Sequence, residues 1–237
     1  MVIQESNEPK SLITERYSYG DVKRKTINGR RHYEGEGKFL PSVTTIISTT
    51  KSQKDKEGLL RWKERVGETE AEAIKSQAAS VGTAMHKFLE CHIKGLGYDD
   101  QTNIGIIAKR MAQLIVRNAL PSMDEYWGTE IPLFYPTFYG GTADCTGVWR
   151  EQPAVIDFKQ TNKPKKDEWI EDYFIQLAAY IMAHDALYKT KMEAGVILMA
   201  SRGMTLQMFT LNGDKLDDYK YKWLKRCEQY YLGEMNG

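Results

Sequence analysis

Three strand-like segments follow one another directly in the second half of the chain, over residues 127–134, 141–150 and 154–158. The connections between them, containing Gly140-Gly141 and Glu151-Gln152-Pro153, are too short to hold a helix, so the strands have to pair as an antiparallel meander. A helical stretch over about 166–187 comes next, then strands at 194–200 and 205–211 joined at Ser201-Arg202-Gly203, and a terminal helix over about 214–232. A crossover of helical length is what allows a later strand to return to the same sheet. Upstream, Val81, Met85, Phe88 and Leu89 recur at helical spacing and predict a long helix over about 69–94. A second helix over about 103–120 is stopped by Pro121. The order helix, three strands, helix, strand implies an α/β fold of the mixed α+β kind, a mixed sheet with helices packed on it.

The first 68 residues read differently. Residues 1–20 look loosely ordered, and a hairpin follows around Asn28-Gly29, with strands over 22–27 and 30–33. Residues 41–47 form a short helix with Ser42 as N-cap, and a mixed-charge helix runs over 56–66. The expected division is an N-terminal hairpin and helical extension, 1–68, and a core, 69–237, built as one unit. Residues 21–65 hold twelve Lys/Arg against six Asp/Glu, which leaves −5 on the rest of a chain whose net charge is +1. That basic front is either a grip for phosphates or a solvated charged face. No apolar run reaches the ~18 residues of a membrane span. The opening MVIQESNEPK has no secretory apolar core and carries acids, so neither a signal nor an import segment is expected. Cys91, Cys145 and Cys227 form no CxxC pair, which suggests a reducing compartment with no disulfides, no zinc and no iron–sulfur cluster.

Val155-Ile156-Asp157-Phe158-Lys159 ends a short apolar strand, and alternation puts Asp157 and Lys159 on one face. Burying an acid beside an ammonium requires either an ion pair or a metal. The tripeptide pattern alone says little, since Asp21-Val22-Lys23 and Asp218-Tyr219-Lys220 share it. Asp144, in Gly141-Thr142-Ala143-Asp144 near an expected Gly-Gly turn, lies on the preceding strand and can approach Asp157. Two adjacent carboxylates repel unless a divalent cation separates them, and oxygen ligands favour Mg²⁺ or Mn²⁺. On the long helix, Gly82, His86 and Glu90 form a stripe at i, i+4, i+8 in which Gly82 leaves room for close backbone approach. His86 is a ligand or a satisfied core histidine, and Glu90 a site residue or a partner for Lys87 or Lys94. Gln176 and Tyr180, one helical turn apart, point either into the site or at a helix–sheet hydrogen bond. Ser42, Thr44 and Thr45 at a helix start suit a phosphate or plain capping. Arg61, Trp62, Lys63 and Arg65 suit a single strand's phosphates and bases, or, for Trp62, the core.

Taken in order, Gly82-Thr83-Ala84-Met85-His86, Gly141-Thr142-Ala143-Asp144, Asp157-Phe158-Lys159 and Gln176-x-x-x-Tyr180 resemble the RecB-like branch of the PD-(D/E)XK nucleases. Leu40-Pro41-Ser42-Val43-Thr44-Thr45 and Leu60-Arg61-Trp62-Lys63-Glu64-Arg65 extend the resemblance to the mitochondrial genome maintenance exonucleases and related phage exonucleases. The resemblance implies a restriction-endonuclease-like core and Mg²⁺- or Mn²⁺-dependent hydrolysis of DNA. It further implies metal ligation by His86, Asp144, Asp157 and the Phe158 carbonyl, and Lys159 as the catalytic lysine. Gln176 and Tyr180 would support the site or the DNA strand, and Glu130 matches an acidic position of many relatives. The expected protein is therefore a DNA exonuclease acting on single strands, ends or flaps in recombination, repair or genome processing, in bacterial or phage-infected cytoplasm. A catalytically silent DNA-binding module and a structure-specific endonuclease are the alternatives.

Overall fold

The computed structural model describes residues 10–235. The first sheet comes from two tight hairpins in succession: β1 (Arg24–Ile27), β2 (Arg30–Gly35) and β3 (Lys38–Pro41), all antiparallel. Asn28 and Gly29 both take positive φ, 50° and 73°, between the paired Ile27 and Arg30, the two-residue turn that matches strand twist. Glu36-Gly37 repeats it, at 51° and 77°, and adds a strand that the sequence pattern did not predict. Next, α1 (Val43–Thr49) starts where Ser42 Oγ accepts the Thr45 N–H at 3.0 Å, as anticipated. Its Val43, Ile46 and Ile47 are buried in the core. By contrast, α2 (Gln53–Val66) has no buried residue; it begins at Gln53 because Ser52 caps it.

The helices α3 (Glu68–Ile93) and α4 (Asn103–Asn118) follow the predicted spans closely, and Pro121 falls in a 3-10 turn just beyond α4. Then come β4 (Met123–Tyr135), β5 (Tyr139–Trp149), β6 (Gln152–Thr161), α5 (Glu171–Tyr188), β7 (Ala194–Ser201), β8 (Leu206–Asn212) and α6 (Gly213–Met235). The larger sheet has the order β4-β5-β6-β7-β8, with β6 and β7 parallel and every other neighbour antiparallel. This is the mixed sheet that the order of segments requires. Met85, Phe88 and Leu89 of α3 pack with α4 on the face of Ile156, Phe158 and Leu198. Helices α1, α5 and α6 cover the other face, against Val155, Ile197 and Met199. Strand β7 is buried on both sides, which explains its unbroken apolar run.

Three expectations change. Gly140-Gly141 is no turn: both lie inside β5, and the chain reverses at Pro136–Phe138 with Thr137 at φ 65°. A Cβ on Gly140 would come 2.6 Å from Tyr33 Cβ, and one on Gly141 would come 2.6 Å from a Tyr180 ring carbon. The pair is there for close approach. Gln152 and Pro153 likewise belong to β6, and the reversal is made by Arg150 and Glu151, both at positive φ. In addition, α5 starts at Glu171 rather than 166, after a 3-10 turn over Asp167–Trp169.

Of the segment expected to be loose, residues 1–9 lie outside the described residues, but 10–20 are fastened down. Leu12 N–H donates to Ile93 O at 2.9 Å and Thr14 N–H to Tyr126 O at 2.8 Å. Tyr17 packs edge-on to Trp127, and Tyr19 Oη lies 2.9 Å from both Thr146 Oγ1 and His184 Nε2. The apolar rings at 17 and 19 supply the burial that polar composition had hidden.

His184 is fully buried there. Thr190 Oγ1 donates its proton to Asp185 Oδ1, so it accepts from His184 Nδ1, leaving Nε2 to accept from Tyr19. Burial lowers the imidazole pKa to about 4. The unfolded chain takes up this proton near pH 6.5, so stability from the neutral ring is present above pH 6.5 and is lost as pH falls towards 4. The loss is about 3 kcal/mol. Urea unfolding at pH 7 and pH 4.5 will show a steep loss of stability that is smaller in His184→Gln; equal losses in both proteins would contradict the assignment.

Candidate functional site

Strands β5 and β6 pair only as far as Cys145↔Ile156, whereas β6 stays paired with β7 out to Thr161↔Ser201. The sheet therefore forks, and past the fork Phe158 has no β5 backbone opposite. Buried peptide groups need partners, and two side chains provide them. Asp144 Oδ2 accepts the Phe158 N–H at 2.7 Å, and His86 Nε2 donates to the Phe158 carbonyl at 2.8 Å. His86 Nδ1 then lies 3.4 Å from Asp144 Oδ1. The carboxylate comes from the end of the β5 ladder and the imidazole from α3, so the fork joins two elements at one peptide.

Glu130 completes the cluster. It falls between Thr129 and Ile131, whose partners Cys145 and Ala143 flank Asp144. Its φ of 52° is left-handed, unusual for a residue with a side chain and costly by about 1–3 kcal/mol. One ligand atom each from His86, Glu130 and Asp144 lie within 4.8 Å of one another.

The charges are strongly coupled. Burial pushes the His86 imidazolium down, but the Asp144 carboxylate outweighs it and raises the pKa to about 9. Burial raises Asp144 as well, yet His86, Lys159 and the Phe158 N–H hold it below the usual carboxylate range. Asp157 is 1% exposed. Burial raises it to about 6 against the pull of Lys159, with Asp144 adding to the rise. Lys159 Nζ sits 2.6 Å from Asp157 Oδ2. That contact is a close ion pair, and the other carboxylate oxygen, Asp157 Oδ1, has no partner among the described residues. Burial depresses Lys159, but Asp157 and Asp144 raise it overall. Glu130, exposed at the cleft, is raised first by partial loss of water and then by Asp144.

A cavity of about 460 Å³ opens over these groups. It brings together His86, Glu130, Asp144 and Lys159, with Ser42, Thr44, Glu90, Gln176 and Tyr180 on its walls. Gln176 Nε2 donates to Tyr180 Oη at 3.1 Å, so the two polar ends meet each other. Glu90 pairs with both Lys87 and Lys94, at 3.0 and 2.6 Å. The Ser42 hydroxyl is occupied by the cap and Thr45 donates to the Arg31 carbonyl, which leaves Thr44 as the outward member of the three. Asp157 lies outside the His86–Glu130–Asp144 cluster, and the Phe158 carbonyl is taken by His86. Arg61, Trp62, Lys63 and Arg65 sit on α2 and do not line the cavity; Arg61 pairs with Glu57, Lys63 with Glu72, and Trp62 is half-buried. A Cβ on Gly82 would meet Gln160 at 3.6 Å, an ordinary contact, so the close approach expected there is not present.

Sequence reasoning missed Arg24, Arg31 and Tyr33, which β1 and β2 bring to the cavity wall. It also missed Tyr173, whose ring centre lies 5.1 Å from Lys159 Nζ. Only the cations around Asn28-Gly29 hinted at the hairpin's part. Two carboxylates and an imidazole that converge, beside the buried Asp157 carboxylate, form a donor set able to hold a metal ion.

No family model matches the sequence. The chain is 28% identical to mitochondrial genome maintenance exonuclease 1 of Xenopus tropicalis and of Mus musculus, over 81% and 83% of its length. It is 26% identical to the Homo sapiens protein of that name, over 81%. The chain spans 57–60% of the length of these relatives. Among solved structures, a candidate exonuclease of Eubacterium rectale aligns over 65% of this chain and 64% of its own at 15% identity, with a TM-score of 0.47, which by itself does not establish a shared fold.

The two glycines beside the site have opposite tolerances. Gly141→Ala forces the buried Tyr180 ring aside and is expected to cost about 1–3 kcal/mol. Gly82→Ala, in an open helical position, is expected to be neutral or to stabilise by up to about 1 kcal/mol. Denaturation midpoints of the two variants check the contrast, and a stable Gly141→Ala would show that the ring is not locked.

Proposed function

We propose that this chain is a metal-dependent deoxyribonuclease of the PD-(D/E)XK, RecB-like kind, with a restriction-endonuclease-like core, that hydrolyses DNA from a free end. The observation that carries the reading is the convergence of His86, Glu130 and Asp144 within 4.8 Å, on the wall of a cavity that also holds Lys159. The names of the relatives support the exonuclease mode, and the ordered motifs of the sequence run through His86, Asp144 and Lys159.

Asp144, Glu130 and His86 would hold the cation, with Asp157 as a further carboxylate beside them. The hard oxygen donors suit Mg²⁺ or Mn²⁺. When bound, such an ion polarises a phosphate and acidifies water. His86 serves as a ligand only as neutral imidazole, so the proton it carries beside Asp144 leaves on binding. Lys159 is held charged by Asp157 and presents its ammonium to the cavity, where it stabilises negative charge developing on the phosphoryl oxygens. Asp157 thus acts as a positioning residue through the lysine. Gln176 and Tyr180 offer hydrogen bonds that orient the strand. In hydrolysis the water oxygen forms the new P–O bond, and the bridging oxygen departs with the electron pair of the broken one and takes up a proton. Single strands, ends and flaps met in recombination, repair or genome processing are the substrates that fit this reading.

Two measurements check it. Labelled linear oligonucleotides with one end blocked are expected to be degraded in Mg²⁺ or Mn²⁺ and to survive in EDTA, while closed circular DNA stays intact. Lys159→Ala and Asp157→Asn are expected to lower the rate by about 10²–10³-fold or more. Equal rates in wild type and Lys159→Ala would sink the proposal, and cutting of closed circles would replace the exonuclease by an endonuclease. Calorimetric titration with Mn²⁺ is expected to release protons and to lose affinity in His86→Ala and Glu130→Gln.

A further inference from the structure

Every cation on the cavity wall has an anionic partner except two. Lys87 pairs with Glu90, Lys159 with Asp157, and His86 faces Asp144. Arg24 and Arg31 are exposed, line the same cavity, and make no side-chain hydrogen bond or ion pair among the described residues. Their positions follow from the hairpin register. Arg24 is opposite Tyr33 and Thr26 opposite Arg31, so both arginines and Tyr33 share one face of the small sheet. They occupy diagonal positions on adjacent strands, roughly 7–8 Å apart. That face is docked: Tyr33 is buried, closes on Gly140, and its hydroxyl accepts from Thr142 Oγ1 at 3.2 Å. The opposite face carries Lys25.

We propose that Arg24 and Arg31 form a two-pronged clamp for the backbone phosphates of the DNA strand entering the site, a role that rests on the nuclease reading above. A guanidinium presents a planar fork that matches phosphate oxygens in pairs, and an unpaired one gives up no protein partner to bind. The neighbouring carboxylates Glu130, Asp144 and Glu90 repel a bare phosphate chain, so cations on the facing wall are needed to hold a strand across the cavity. The Gly140 contact sets the distance from this clamp to the Asp144 strand. The clamp therefore acts on binding, and Lys159 on the chemical step.

Binding of labelled single-stranded and duplex oligonucleotides in EDTA, across a range of salt, tests this without hydrolysis. Removing both charges as Arg24→Gln with Arg31→Gln is expected to weaken binding and flatten the slope of log K against log salt. The change is about 1.4 on a single strand or about 1.8 on a duplex, and about half that for each single variant should the double variant not fold. Lys25→Ala, on the other face of the strand, is expected to leave the slope unchanged. Lysine at both positions restores the slope but not the full affinity. With Mn²⁺ or Mg²⁺ present, the glutamine variants raise KM while kcat holds. Unchanged slope and KM in the variants, or a wild type that does not bind DNA, overturns the clamp. A clamp that behaves as expected in a protein unable to hydrolyse DNA overturns the nuclease reading alone.

Discussion

The site depends on one peptide group. Phe158 sits where β5 leaves β6, and a buried N–H and C=O left there without partners would cost several kcal/mol. Asp144 and His86 satisfy them, one from the departing strand and one from the helix that packs on the opposite face to α5. Because each uses one atom on the peptide, their remaining atoms are brought to face each other, 3.4 Å apart. The same bonds that repair the sheet thus aim a carboxylate and an imidazole at a common point, and Glu130 is carried there by the paired β4.

Around that point the protein keeps more charge than a stable core would choose. Asp157 and Lys159 face one another within the sheet, and the lysine alone offsets the hydration that the buried carboxylate has lost. Glu130 adds a left-handed backbone. Such features persist only where the surrounding packing imposes them, and here the two apolar layers on either side of the sheet do so.

Much of this was legible from local pattern. The helix and strand order, the Asn28-Gly29 turn, the Ser42 cap and the Gln176–Tyr180 pair each depend on residues near in sequence, where spacing and conformation are enough. What the sequence hid is long-range. Gly140-Gly141 has the composition of a turn, and only the Tyr33 and Tyr180 rings lying against it reveal its purpose. The fork at Phe158 leaves no mark in alternation, and the approach of Glu130 to His86 and Asp144 is a contact between elements far apart in sequence. The docking of the first hairpin rests on contacts between residues more than a hundred positions apart, as Tyr33 and Thr142 are. Residues 10–20 look loose in the sequence because their anchors are two tyrosine rings and backbone bonds to elements far along the chain.

The fastening of residues 10–20 has a further consequence for the sheet they cross. Strand β4 is an edge strand, with β5 on one side. A long edge with unpaired peptide groups invites another chain to add itself. Ile13 bridges in parallel to Tyr126, and Thr14 takes up the Tyr126 carbonyl with both its backbone N–H and its hydroxyl. Residues 10–20 therefore guard the edge of β4 at Tyr126, near the start of the strand that carries Glu130 to the cluster.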